Sequence, residues 1–149
     1  MDETLGHRKI QINNEVFFAE ILSDIRSGKT VKINVIGNSM LPFLRYGDQV
    51  LLKAVDLDNI QAGDIVLARY KKQYILHRIR RIKGDTVFLI GDNNLLLIEE
   101  VSKSELLAKV LQGFRGQKQL QLYSRKNKVK SSIYYYLRPL RRIVSKIIR

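Results

Sequence analysis

The chain has 149 residues, 45% hydrophobic and 28% charged, which is enough for one domain with its own core and too few for two. It has no cysteine, which excludes a disulfide framework and a thiol nucleophile, and its two histidines leave little for a zinc site. The net charge of +13 is segregated: residues 1–105 carry 15 Lys/Arg against 14 Asp/Glu, whereas residues 106–149 carry 12 Lys/Arg and no acid. The body is therefore near neutral, and the basic character belongs to a C-terminal appendage of the kind that meets an anionic surface. No run approaches about 18 consecutive apolar residues. The Met-Asp-Glu start lacks a basic-then-apolar stretch. A membrane span and a cleavable signal peptide are not expected, and the expected location is the cytoplasm, free or peripheral at the membrane.

In chain order, the first expected element is a helix over 14–27, capped by Asn13 or Asn14 and stopped by Gly28, which packs on the body. Val16, Phe17, Ile21 and Ile25 recur near its period. From residue 31 the pattern changes to short strands, expected at 31–36, 49–53, 65–70, 74–80 and 86–90. Gly-Asp pairs at 47–48, 63–64, 84–85 and 91–92 punctuate them as turns. Short strands at such spacing imply a mainly β fold, a coiled antiparallel sheet or partial barrel, and not βαβ units. Residues 98–112 fit either a short helix or a turn and strand, and residues 115–130 read as a basic ribbon or linker.

Ser131–Arg149 is expected as a basic amphipathic helix, with Tyr134, Tyr135 and Tyr136 at its entrance. Ile133, Leu137, Leu140, Ile143, Val144, Ile147 and Ile148 share one face, and Pro139 either starts the helix or kinks it. The apolar stripe fits packing on its own domain or on a second copy. It fits next an anionic membrane surface met through Arg138, Arg141, Arg142, Lys146 and Arg149; nucleic acid is the least favoured partner. The expected organisation is an N-terminal helix over 1–30, a β domain over 31–112 and a basic tail over 113–149.

The chemistry centres on Ser39, in Gly37-Asn38-Ser39-Met40-Leu41-Pro42, and on His77, 38 residues later. A serine hydroxyl becomes a nucleophile when a base takes its proton, and a neutral imidazole can do so. Alternation along Tyr74–Arg80 assigns His77 to the face of Tyr74. His7 lies near the terminus and is given no role.

Five ordered blocks carry a resemblance: the Ser39 block, Tyr46-Gly47-Asp48, Gly63-Asp64-Ile65-Val66, Leu76-His77-Arg78 and Gly91-Asp92-Asn93-Asn94. Together they resemble the S24/S26 serine peptidases, and most the histidine-containing branch of type I signal peptidases found in archaea, the endoplasmic reticulum and some bacteria. The resemblance spans about 31–95 and implies a sheet of the LexA/signal peptidase type. It implies Ser39 as nucleophile and His77 as general base, where the bacterial housekeeping branch and LexA-like proteins use lysine. Main-chain N–H groups at or near Ser39 would form the oxyanion hole, and Met40 and Pro42 would shape a substrate cleft that favours small side chains.

In that branch an aspartate in or shortly after the Gly-Asp-Asn-Asn block orients the histidine. Asp92 is the last aspartate of this chain. The orienting acid is thus Asp92 or, in its place, Glu99 or Glu100. Signal peptidases also carry a membrane helix before the serine, where this chain has only the helix over 14–27. The implied activity is that of a soluble or peripheral serine endopeptidase that matures a peptide or protein precursor through an acyl-enzyme, without metal or cofactor. Two alternatives are a catalytically silent module that binds a peptide or partner in the same cleft, and a LexA-like regulatory protein. Ala62-Gly63 resembles the self-cleavage dipeptide of the LexA-like branch, although the Gly63-Asp64 turn already accounts for Gly63.

Overall fold

Apolar runs between Gly-Asp turns form the body of the protein. The computed structural model describes residues 14–148. Its elements are α1 (Asn14–Arg26), β1 (Val31–Asn34), β2 (Gln49–Lys53), β3 (Ile65–Tyr70), β4 (Gln73–Lys83), β5 (Thr86–Ile90), β6 (Glu99–Ser102), β7 (Leu106–Arg115), β8 (Lys118–Leu120), α2 (Arg125–Tyr136) and α3 (Arg138–Ile147). The strands form one antiparallel sheet in the order β1-β2-β7-β3-β4-β5-β6, with β8 pairing β7 beside β3. Register shifts at Leu51/Leu52, Leu67/Ala68 and Ile79/Arg81 bend the strands, and the sheet curls into a half-barrel.

Alternation along β3 feeds two apolar clusters. Ile65 and Leu67 join Val50, Leu52, Ala108 and Val110, whereas Val66 and Ala68 join Ile79, Val87, Leu89 and Val101. The first cluster is covered by α1 through Ile21 and Ile25, and Phe18 stacks on Tyr74 with ring centroids 4.1 Å apart. The helical stripe is thus Phe18, Ile21 and Ile25, while Val16 and Phe17, expected in it, are exposed. Asn13 and the capping side chain of Asn14 lie outside the described residues, as does His7.

Two Gly-Asp pairs do more than turn the chain. Gly47 and Gly63 have φ of 87° and 97°, which glycine adopts without strain. Beside them, Asp48 accepts from the Arg45 N–H and Asp64 from the Gln61 N–H, both at 3.0 Å. These buried carboxylates then pair with β7: Asp48 takes two bonds from Arg115 at 2.9 and 2.8 Å, and Asp64 meets Lys109 at 2.9 Å. Burial opposes the charge on Asp48, but the bonds from Arg115 and from the Arg45 N–H outweigh it and hold the carboxyl below its ordinary range.

The region left undecided at 98–112 is β6, a single 3₁₀ turn and most of β7, which runs through 112 to Arg115. The stretch expected as a ribbon or linker holds β8, paired with β7, and the start of α2, whose first turn is capped by Ser124 Oγ accepting from the Asn127 N–H. Between them, the buried Tyr123 hydroxyl donates to Val110 O at 2.6 Å and accepts from the Ile65 N–H at 3.2 Å. Burial pushes this phenol up to about 12. The expected single helix over 131–149 is corrected to two, α2 and α3, which meet at Leu137. Pro139 sits in the first turn of α3, where its missing N–H breaks no helical bond. Among the described residues no helix is long and apolar enough to cross a membrane.

Candidate active site

The Ser39 block leaves β1 as a tight turn, and β4 carries His77 past it. Ser39 Oγ and His77 Nε2 are 3.1 Å apart, within hydrogen-bond reach for a nucleophile and its base. His77 is buried and Ser39 half-buried. On the other side of the ring, His77 Nδ1 lies 3.1 Å from Glu99 Oε2. The approach is off the ring N–H axis, so it is a close polar contact and not an aligned hydrogen bond, and neither atom has a hydrogen-bond partner among the described residues.

Strand register explains why Glu99 reaches His77. Glu99 stands opposite Leu89, and Leu89 opposite Ile79, which lies two residues from His77. Directly paired residues share a face, as do residues two apart, so Glu99 and His77 point to the same side of the sheet. The same rule corrects the expectation that His77 shares the face of Tyr74. The two are an odd number of residues apart: Tyr74 packs on the first cluster, while Ile75 and Ile79 belong with the second.

Asp92, expected as the orienting acid, is directed elsewhere. It binds Arg78 in a fork, Nε to Oδ1 and Nη2 to Oδ2 at 2.9 Å each, and both side chains are almost fully buried. Arg78 also donates to Gly63 O at 3.0 Å. A guanidinium is permanently charged and matches a carboxylate geometrically, so it outcompetes an imidazole for Asp92. Glu100 is exposed, on the opposite face of β6 from Glu99. The carboxylates of Asp48, Asp64 and Asp92 are thus each matched to arginine or lysine; the buried Glu99 carboxylate instead meets the His77 ring, and among the described residues it has no arginine or lysine partner.

The Gly91-Asp92-Asn93-Asn94 turn is a clamp on the serine. Asn93 N–H donates to Ser39 O at 2.8 Å and Asn93 Nδ2 to Asn38 O at 3.2 Å, while Asn94 N–H closes the turn on Gly91 O. Gly91 falls opposite His77 in the β4–β5 register, one step beyond Arg78 and Ile90. A Cβ there would sit 2.7 Å from Ser39 O and 3.0 Å from His77 Nε2. The Arg78–Asp92 fork anchors this turn to β4 beside His77. Sequence reasoning took Gly91 as a turn former only; its contact role is tertiary.

A family model described as Peptidase S24-like matches residues 1–111. The chain belongs to this family. No curated protein matches it. At the family level the S24-like domain is a serine peptidase-like module, and its curled sheet accords with that membership.

A cleft of about 290 Å³ opens at the Ser39–His77 pair of the S24-like domain. Ile33, Val35, Ile36, Met40, Leu76 and Tyr74 are among its walls, and Phe18 of α1 reaches it. Pro42, expected to shape this cleft with Met40, is exposed and absent from its lining, because the turn after Met40 carries it outward. Both strands beside the cleft have an open edge: among the described residues β1 pairs only with β2, and residues 73–77 of β4 pair only with β3. The Ser39 and Met40 N–H groups have no hydrogen-bond partner among the described residues. No group of three His, Cys, Asp or Glu among those residues is disposed to hold a metal.

Proposed function

We propose that the protein is a serine endopeptidase in which Ser39 is the nucleophile, His77 the general base and Glu99 the acid beside it. The observation that carries this reading is the unbroken line of contacts from Ser39 Oγ through the His77 ring to a buried carboxylate with no arginine or lysine partner among the described residues. Ser39 Oγ attacks the scissile carbonyl carbon as its proton passes to His77 Nε2. The imidazolium then stands against Glu99, so charge forms where a buried anion already waits. The tetrahedral oxyanion is met by the free main-chain N–H of Ser39, with that of Met40 adjacent. His77 returns the proton to the leaving amine, giving an acyl ester on Ser39. It then deprotonates a water that hydrolyses the ester and restores the hydroxyl.

The substrate is an extended segment of a peptide or protein precursor. The open edges of β1 and β4 offer main-chain partners on either side of the cleft, and its apolar walls accept side chains of one face. The histidine base and the ordered blocks favour the signal peptidase-like branch over the lysine-using LexA-like one. The test is exposure of a proteome-derived peptide mixture to the purified full chain, with new N-termini read by mass spectrometry. Cleavages made by wild type and missing with Ser39→Ala and His77→Ala are expected. No Ser39-dependent cut would leave a silent peptide-binding module in place of the enzyme.

A further inference from the structure

The C-terminal helices end in a face that no described residue covers. Leu140, Ile143, Val144 and Ile147 follow helical spacing along α3, and Ile143 and Ile147 are 56% and 75% exposed. The loop that follows the serine clamp is apolar as well: Leu96 is 65% exposed, with Leu97 and Ile98 beside it. The loop lies away from that stripe: Leu96 and Ile98 line a shallow concavity of about 380 Å³ with Tyr136, Pro139 and Arg142, and none of Leu140, Ile143, Val144 and Ile147 is in it. Cations surround these helices. Arg80 stacks on Tyr135 at 3.8 Å, fixing the end of α2 to β4, and Arg141 stacks on Tyr134 at 3.6 Å. Arg138 is half-buried against Tyr135, which leaves Arg142 and Lys146 as the basic side chains of α3 without a partner among the described residues; Arg149 lies outside them.

We propose that the apolar stripe of α3, with Arg142 and Lys146 on the polar side of the helix, is a docking face for an anionic lipid bilayer. A bilayer takes an apolar stripe and its flanking cations together, the first among acyl chains and the second at the headgroups. Duplex nucleic acid would take the cations and leave the isoleucines in water, since such interfaces are polar. A second copy would bring together two tails that each carry 12 Lys/Arg and no Asp/Glu from residue 106 onward. This inference stands independently of whether Ser39 is catalytic.

Co-sedimentation of the full chain with vesicles tests it. Wild type is expected to pellet with phosphatidylglycerol/phosphatidylcholine vesicles and to remain in solution with phosphatidylcholine alone. Arg142→Gln with Lys146→Gln should weaken binding about 25-fold, roughly fivefold for each charge. Ile143→Asp with Ile147→Asp should abolish it. All these positions are exposed, and unchanged circular dichroism and melting would show that the variants remain folded. Equal binding to both vesicle types, no binding to either, or indifference to the aspartate pair overturns the proposal. Self-association abolished by the aspartate pair, or tighter binding to duplex DNA than to anionic vesicles at the same salt, overturns it in favour of that partner.

Discussion

Gly91→Ala is the sharpest probe of how the site is held together. Gly91 does not have a positive φ, so alanine meets no backbone strain there; what excludes it is contact. The new methyl would lie 2.7 Å from Ser39 O, 2.9 Å from Asn94 Nδ2 and 3.0 Å from His77 Nε2. Ordinary contact begins at 3.4 Å, so the Ser39 backbone must retreat by about 0.7 Å, or His77 must turn aside. Either movement lengthens the 3.1 Å Ser39–His77 contact. Overpacking of this kind costs about 1–3 kcal/mol. For a chain of this size that lowers the melting temperature by roughly 2–4 °C per kcal/mol. Displacing a catalytic group by several tenths of an ångström should reduce kcat on the order of 10- to 100-fold. Thermal melts and cleavage of a peptide identified with the wild-type enzyme read the two effects separately. A Gly91→Ala protein that melts within about 1 °C of wild type and cleaves at its rate would refute the tight clamp described here.

Glu99→Gln should keep the fold but lower kcat by about 10²- to 10⁴-fold, because an amide cannot balance the imidazolium; steady-state kinetics at constant peptide concentration checks it. Asp92→Asn should act on stability instead, leaving the buried Arg78 charge uncompensated at a cost of about 3–5 kcal/mol, measured by urea unfolding. The carboxyl of Asp48 is held below its ordinary value, so its contribution is complete above about pH 4 and is lost as pH falls through the native pKa. Unfolding free energies measured from pH 6 downward (about three units) should therefore fall less steeply for Asp48→Asn than for wild type, and parallel curves would refute this linkage. Tyr123 is raised to about 12, so its stabilisation is intact below about pH 10 and disappears as pH climbs toward 12. A phenolate absorbance titration should find one tyrosine ionising with alkaline unfolding, and Tyr123→Phe should remove it.

Much of the β fold was legible because its signals are local. The expected strands at 49–53, 65–70 and 86–90 coincide with β2, β3 and β5, where apolar runs end at Gly-Asp turns. The C-terminal third was less legible. Its β8 is three residues long and polar, and exists because Gly113–Arg115 of β7 offers it an edge. The division of the tail into α2 and α3 depends on Leu137 leaving the helical path before Pro139, where local sequence allowed either a kink or a start. In α1, Phe17 and Phe18 are equally apolar, and only the ring of Tyr74 across the sheet decides which is buried.

Sequence alone determined the residue types of the site, Ser39 and His77, the ordered blocks around them and the segregation of charge into the tail. It could not choose between Asp92, Glu99 and Glu100, because all three carboxylates lie within a few residues of one turn. Tertiary structure decided that choice through register and competition. Strand pairing turns Glu99 toward His77 and Glu100 away, while Arg78, one residue past the histidine and facing the opposite side, captures Asp92. Which carboxylate meets which cation is a property of the folded sheet, since a one-residue step along a strand reverses the side on which a charge appears.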